Sequence, residues 1–170
     1  QVRSSPKCFK CRSSHIQAEP DTIPKKALKI SDVMSRPVYT CQPDTNLSTF
    51  AKLMWRHNCG FIPVVDASGC VVGVITRSDI AIATGTRLLL EEISAAQAMV
   101  ATIHSCLPDA SVSDVLSTMK QCGVRRLLVI DSHRRPHGVV SISDLVRAMA
   151  RGHSLNVMEI VSVMAAIGID

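Results

Sequence analysis

The sequence predicts an α+β fold in which two copies of a strand–helix–strand–strand–helix unit share one core. Three observations carry this expectation. Shifting the chain against itself by 65 residues, without a gap, aligns Met34 to Ala83 with Met99 to Ala148, and 13 of those 50 positions are identical; ordinary composition would give about 3 by chance. The matches fall on residues that set local structure, among them Pro43/Pro108, Asp44/Asp109, Asp66/Asp131, Gly73/Gly138 and Asp79/Asp144, the mark of an internal duplication. Each copy also contains one distinctive run, Gly73-Val74-Ile75-Thr76-Arg77-Ser78-Asp79 or Gly138-Val139-Val140-Ser141-Ile142-Ser143-Asp144. There a β-branched pair suits a buried strand, and the following serine and aspartate are helix-start residues.

Residues 1–29 show no periodicity and carry Pro6, Pro20 and Pro24 among polar residues, so we read an extended or disordered arm. The first repeat, 30–84, opens with a short strand, Val38 to Cys41. Pro43-Asp44 then leads into a helix with Leu47, Phe50, Ala51 and Met54 on one face. A strand from Phe61 to Val65 ends at Asp66, the turn Ala67 to Cys70 follows, and the distinctive run closes the unit. Residues 85–94 form a linker, with Leu88 to Ile93 expected to be helical. The second repeat, 95–151, parses in the same way: a strand from Ile103 to Cys106, a helix with Val112, Val115, Leu116 and Met119 on its apolar face, a strand from Arg126 to Ile130, and the turn Ser132 to Arg135. A unit of some 55 residues buries too little surface alone and should need its twin. Residues 152–170 hold a last helix, in which Asn156 and Glu159 have capping-box spacing and Val157, Ile160, Val161 and Met164 form an apolar face for the sheets or for a second subunit.

Composition narrows the function. The apolar fraction of 46% is globular, and with aromatics at 3% the core must be built from Val, Ile, Leu, Met and Ala. The net charge of +5 sits in the arm, where seven Lys/Arg face Glu19 and Asp21, while residues 30–170 hold twelve of each sign. Nucleic acid is thus not the expected partner. Seven cysteines in apolar segments suit reduced thiols in a cytoplasmic protein. The most apolar stretch, Leu155 to Ile169, is broken by Glu159 and is shorter than the ~20 residues of a membrane span, so a soluble protein is expected. The arm contains Cys8, Cys11 and His15. Two cysteines at that separation can reach one zinc ion, but no fourth ligand follows at a usual spacing. Two free thiols are the preferred reading, and half of a zinc site completed by a second chain is the alternative.

Thr76 and Ser141 sit where a strand meets a helix N-terminus. Such a corner offers N–H donors to a phosphate, and a carboxylate there can accept hydrogen bonds from a ribose diol. Equally, Asp79 and Asp144 can do no more than cap, which is the preferred reading of either copy by itself.

The order, spacing and duplication of these motifs, Val-Met, a strand, Pro-Asp, an amphipathic helix, a strand ending in Val-Val-Asp or Val-Ile-Asp, and then Gly-Val-Ile-Thr-x-x-Asp or Gly-Val-Val-Ser-x-x-Asp, resemble tandem cystathionine-β-synthase (CBS) domains, the pair called a Bateman module, over roughly residues 30–150. The resemblance implies two β-α-β-β-α repeats packed through their sheets about a pseudo-twofold axis, with clefts for adenosine-containing ligands such as AMP, ADP, ATP or S-adenosylmethionine. It implies a regulatory module, not an enzyme, with no required cofactor, a homodimeric assembly and a regulated protein partner. Carried onto this chain, it implies that Asp79 and Asp144 hold ribose hydroxyls, assisted by Thr76 and Ser141. Tyr39-Thr40 and His104-Ser105 would border the base, while Phe61-Ile62-Pro63 and Arg126-Leu127 would line an apolar wall. The repeats differ in cations: Arg125 and Arg126 correspond to Gly60 and Phe61, and Arg77 corresponds to Ile142. Guanidinium suits phosphate through its fixed fork of donors, so the clefts are expected to differ in affinity. The alternative function is a structural dimerisation module whose basic arm contacts nucleic acid or a partner.

Overall fold

The structure is a computed structural model that describes residues 28–168. In chain order its elements are α1 (Ile30–Val33), α2 (Leu47–Arg56), β1 (Phe61–Val65), β2 (Val71–Thr76), α3 (Arg77–Thr84), α4 (Ala95–Ala98), β3 (Ser105–Cys106), α5 (Val112–Cys122), β4 (Arg126–Ile130), β5 (Pro136–Ser141), α6 (Ile142–Ala150) and α7 (Val157–Ala166). The repeats mirror one another closely. Each has an antiparallel hairpin, β1–β2 or β4–β5, with a register shift at the same place, Val64/Val65 and Val129/Ile130. Each hairpin turn is tied by an aspartate: Asp66 Oδ1 accepts from the N–H of Ser68 and Cys70, and Asp131 Oδ1 from the N–H of His133 and Arg135.

Two buried clusters form, one per repeat, but they are not built from contiguous sequence. Ile30 and, beside it, Leu28, Val33 and Met34 pack into the core of repeat two, with Val115, Leu116, Leu127 and Leu145. Ala95, Ala98 and Met99 pack into the core of repeat one, with Leu47, Phe50, Ile62 and Ile75. The backbone follows the same crossing. Ser35 and Val139 exchange N–H···O bonds of 2.8 and 3.1 Å, and Val74 and Val100 exchange two of 3.0 Å. The short helix ahead of each repeat therefore completes the sheet and core of the other. Gly73 and Gly138 make room for this. A Cβ on Gly73 would lie 2.9 Å from Met99 Cγ, and one on Gly138 would lie 2.8 Å from Met34 Cγ, closer than side-chain carbons pack.

The crossing explains where the expected elements shorten. The strand expected at Val38 to Cys41 is a single parallel bridge, Cys41 to Val64. Residues 36–40 span from Val139 in one sheet to Val64 in the other, and so ladder with neither. In repeat two the strand is limited to β3, parallel to β4. Leu88 to Ile93, expected as a helix, forms turns. The carbonyls of Leu90 and Ile93 accept from Ser48 and Leu47, and so are engaged at the start of α2. At α7 the Asn156 side chain caps Met158 and Glu159, whereas Glu159 Oε1 accepts from Ser113 Oγ on α5 at 2.7 Å. The buried face of α7 is Ile160 and Val163, and Val157 and Val161 face outward. Among the described residues no helix is long and apolar enough to cross a membrane.

Candidate functional site

Both strand-to-helix corners are built by reciprocal capping. Thr76 is the N-cap of α3: its N–H and Oγ1 each donate to Asp79 Oδ2 at 2.7 Å, and Asp79 N–H donates to Thr76 Oγ1. Ser141 caps α6 in the same way, its N–H donating to Asp144 Oδ2 at 2.8 Å alongside its hydroxyl. Such boxes satisfy donors that a helix start leaves free, and a carboxylate there also faces the positive end of the helix dipole. The capping reading of Asp79 and Asp144 is thus what the geometry displays.

The second carboxylate oxygen distinguishes the repeats. Asp144 is only 5% exposed, and its Oδ1 accepts from Ser35 Oγ at 2.6 Å and from the Arg147 guanidinium. These partners come from the crossing segment before repeat one and from the next turn of α6. By the 65-residue equivalence, Val100 and Ile82 stand in their places around Asp79, and neither can donate to a carboxylate. Asp79 is half-exposed, and among the described residues its Oδ1 has no hydrogen-bond partner. A polar cleft of about 210 Å³ opens beside Asp144, lined by Ser35, Arg36, Arg147, Arg151 and His153.

Cations gather where the repeats meet. Arg77 from α3 and Arg126 from β4 converge on Gly60: a Cβ at Gly60 would stand 3.2 Å from Arg77 Nε and 3.5 Å from Arg126 Nη1. Arg77 donates to Cys59 O at 3.3 Å. Burial, then repulsion from Arg77 and Arg125, holds the Arg126 guanidinium below its ordinary pKa, with Asp144 acting in the opposite direction. Neither Arg77 nor Arg126 forms an ion pair among the described residues. Such a pair is chemically suited to an anion.

The remaining site candidates are scattered in role. Tyr39 stacks on His57 with ring centroids 3.6 Å apart, while Thr40 is exposed. His104 O accepts from Leu128 N–H at 3.0 Å, and Ser105 pairs with Leu128 in the sheet. Ile62 is 0% exposed and belongs to the core of repeat one, and Pro63 is buried beside it in β1. Burial pushes the thiols of Cys41 and Cys106 up to about 11, so both remain protonated near neutrality. Cys8, Cys11 and His15 lie outside the described residues, among which no group of three or more His, Cys, Asp or Glu could hold a metal ion. Ser35 and Arg147 went unnoticed in the sequence. The only hint was that position 35 is Ser against Val100 and position 147 is Arg against Ile82.

Comparison with known proteins agrees with this architecture. The family model for the CBS domain matches residues 30–84 and 91–151. An uncharacterized 17.7 kDa protein of Acidianus ambivalens is 33% identical over 129 residues, covering 76% of this chain and 77% of that protein. The L-aspartate semialdehyde sulfurtransferase of Methanocaldococcus jannaschii is 30% identical over 119 residues, but the chain spans only 22% of that enzyme. Among solved structures, the CBS domain pair of protein MJ0100, in complex with 5′-methylthioadenosine and S-adenosyl-L-methionine, superposes with a TM-score of 0.67 at 26% identity, over 75% of this chain and 99% of that one. With two matched repeats, duplicated capping corners and a shared fold, this chain belongs to the CBS domain family as a tandem pair.

Proposed function

We propose that this CBS pair is a regulatory module that takes an adenosine-containing ligand (AMP, ADP, ATP or S-adenosylmethionine) at the corner of repeat one and passes its occupancy to a partner protein, without catalysing a reaction itself. One observation carries the reading: Asp79 has a carboxylate oxygen free for a ribose hydroxyl, while Arg77 and Arg126 converge nearby without an ion-pair partner among the described residues. The adenosine-type ligands of the similar MJ0100 pair support the choice of ligand class. Tyr39-Thr40 is proposed to border the base through backbone groups, and Thr76 to assist at the ribose. In repeat two, Asp144 Oδ2 is taken by the Ser141 cap and Oδ1 by Ser35 and Arg147, which favours the corner of repeat one as the ligand's place. The free thiols of Cys41, Cys59, Cys70, Cys106 and Cys122 suit a reducing, cytoplasmic setting.

Thermal-shift measurements with AMP, ATP, S-adenosylmethionine and 5′-methylthioadenosine test the proposal. At a ligand concentration of about 100 times Kd, stabilisation approaches ~2.7 kcal/mol. Asp79→Asn keeps a capping oxygen but loses the charge, so it should fold and lose most of the shift. Arg126→Ala should weaken phosphate-bearing ligands more than 5′-methylthioadenosine. A full ligand shift in Asp79→Asn would reduce that carboxylate to a cap, and no shift with any of the four ligands would overturn the reading.

A further inference from the structure

The polar cleft beside Asp144 carries charges that a capping corner does not call for. Arg36 from the crossing segment, Arg147 and Arg151 from the end of α6, and His153 just beyond it line a volume of about 210 Å³. None of the residues that the family resemblance places at the base or the wall of that repeat, His104, Ser105, Arg126 and Leu127, lines it. Asp144 alone is shared between the corner and the cleft. Among the described residues Arg147 is paired with Asp144, whereas Arg36 and Arg151 form no ion pair.

Repeat one supplies an internal control. The 65-residue shift pairs Arg36 with Ala101 and Arg147 with Ile82, and continued past the aligned stretch it pairs Arg151 with Thr86 and His153 with Leu88. The same capping box and a helix of similar length form there, so neither the corner nor the helix end requires a cation at these places. A cation near a helix C-terminus gains from the dipole. That accounts for Arg147 or Arg151, but not for Arg36, which lies on a different segment. Like charges gathered around one hollow repel, and an anion between them removes that cost.

We propose that this cleft is an oxyanion site, taking a phosphate group that is either free or the head of a compact phosphomonoester. Guanidinium matches phosphate through its fixed fork, two parallel N–H···O bonds at a time. Arg147 gives Nη2 to Asp144 Oδ1 and keeps the rest of its five donors for a ligand. The two acids on the lining are already engaged: both oxygens of Asp144 accept hydrogen bonds, and Asp32 Oδ2 accepts from the Lys29 N–H at 3.1 Å. Three arginines against these two aspartates leave the lining net positive. Size sets the ligand class, since sites for drug-sized molecules run to ~300–1,000 Å³. A volume of about 210 Å³ admits a phosphate and a few further atoms, not a whole nucleotide. Because Arg36 precedes repeat one and Arg151 ends α6 of repeat two, one bound anion ties the crossing segment to the far helix. The site does not rest on the adenosine reading, which concerns Asp79, Arg77 and Arg126.

Isothermal titration calorimetry on the full chain tests the site with inorganic phosphate and with glycerol 3-phosphate, at constant ionic strength and about pH 7.5, where a phosphomonoester carries close to two negative charges. Binding of either supports the site, and the tighter of the two identifies the source, free phosphate or a metabolite's head group. Arg36→Ala and Arg151→Ala change exposed side chains, so both should fold, as checked by far-UV circular dichroism. Each should weaken binding about tenfold or more, as the loss of a charge-assisted hydrogen bond implies. Arg126→Ala, at the other cation pair, should leave this binding in place. A wild-type chain that takes up neither probe at about 10 mM, ten times a weak Kd of ~1 mM, overturns the proposal. So does binding that survives Arg36→Ala and Arg151→Ala together but is lost in Arg126→Ala, which would move the anion to the corner of repeat one. A heat that sodium chloride alone reproduces overturns it as well, as a general salt effect.

Discussion

Adding one methyl group at Gly138 tests whether the segment ahead of repeat one is a working part of repeat two. A Cβ there would stand 2.8 Å from Met34 Cγ and 3.2 Å from Met34 Cβ, and closer still to its sulfur. The thioether can swing aside, but Met34 Cβ cannot move far, because the next residue, Ser35, is bonded to Val139 by both its N–H and its C=O. Overfilling a packed site costs ~1–3 kcal/mol, so Gly138→Ala should destabilise the fold by about 2 kcal/mol. Met34→Ala removes a half-buried side chain, for which about 1–2 kcal/mol is expected against the ~2–5 kcal/mol of a fully buried one. Truncating Met34 vacates the space that the methyl group added at Gly138 fills, so the double variant should be no less stable than Met34→Ala alone. That amounts to a coupling of about 2 kcal/mol, well outside the ~0.5 kcal/mol within which independent sites add. Urea unfolding followed by far-UV circular dichroism gives all four stabilities of the cycle. Additive losses would mean that Met34 and Gly138 do not meet, and the crossing of the two segments would fall with them.

In repeat two, freeing Asp144 Oδ1 with Arg147→Ala and Ser35→Ala together should raise the calorimetric stoichiometry of an adenosine ligand from one to two per chain; an unchanged single site would show that another feature keeps that corner closed. Cys41 and Cys106, held as thiols to about pH 11 by burial, should be alkylated at pH 8 far more slowly than exposed Cys122, as read by peptide mass spectrometry; equal rates would contradict the burial. Hydrogen bonds hold the Asp66 and Asp131 carboxyls below their ordinary range, the Ser68 hydroxyl foremost for Asp66 and the Arg135 N–H foremost for Asp131. A depressed folded pKa gives stability that is present above the ordinary carboxylate pKa and lost as pH falls through the folded one. Replacing both residues with Asn should therefore flatten the acid side of the Tm–pH curve below about pH 4, and a curve that keeps its slope would count against the turn bonds.

Much of this architecture was legible because it is local. β1 and β4 run over Phe61–Val65 and Arg126–Ile130 as their apolar runs between turn residues predict, and the apolar faces of α2 and α5 are those expected. The capping corners were legible too, since a hydroxyl and an aspartate three residues later need only each other. What escaped depends on distant partners. A four-residue helix such as α1 leaves no periodic trace, so nothing in the sequence told Ile30 to enter the far core. The duplication pairs Met34 with Met99 and Gly73 with Gly138, yet it does not say that each methionine meets the glycine of the opposite copy. For the same reason the engagement of Asp144 by Ser35, 109 positions away, was invisible, and with it the difference between the two corners. The two flanking arginines were legible as an asymmetry, but their meeting at Gly60 required the fold.

Because each half wears a piece of the other, the border drawn between repeats along the chain is not a border in space. Two polypeptides cut at Gly85 and made together should find and clasp one another, each supplying the latch its mate lacks, whereas either made by itself should be left with an open seam. Tension applied upstream of Leu28 would likewise be felt first in the distant half of the molecule, not in the adjoining one.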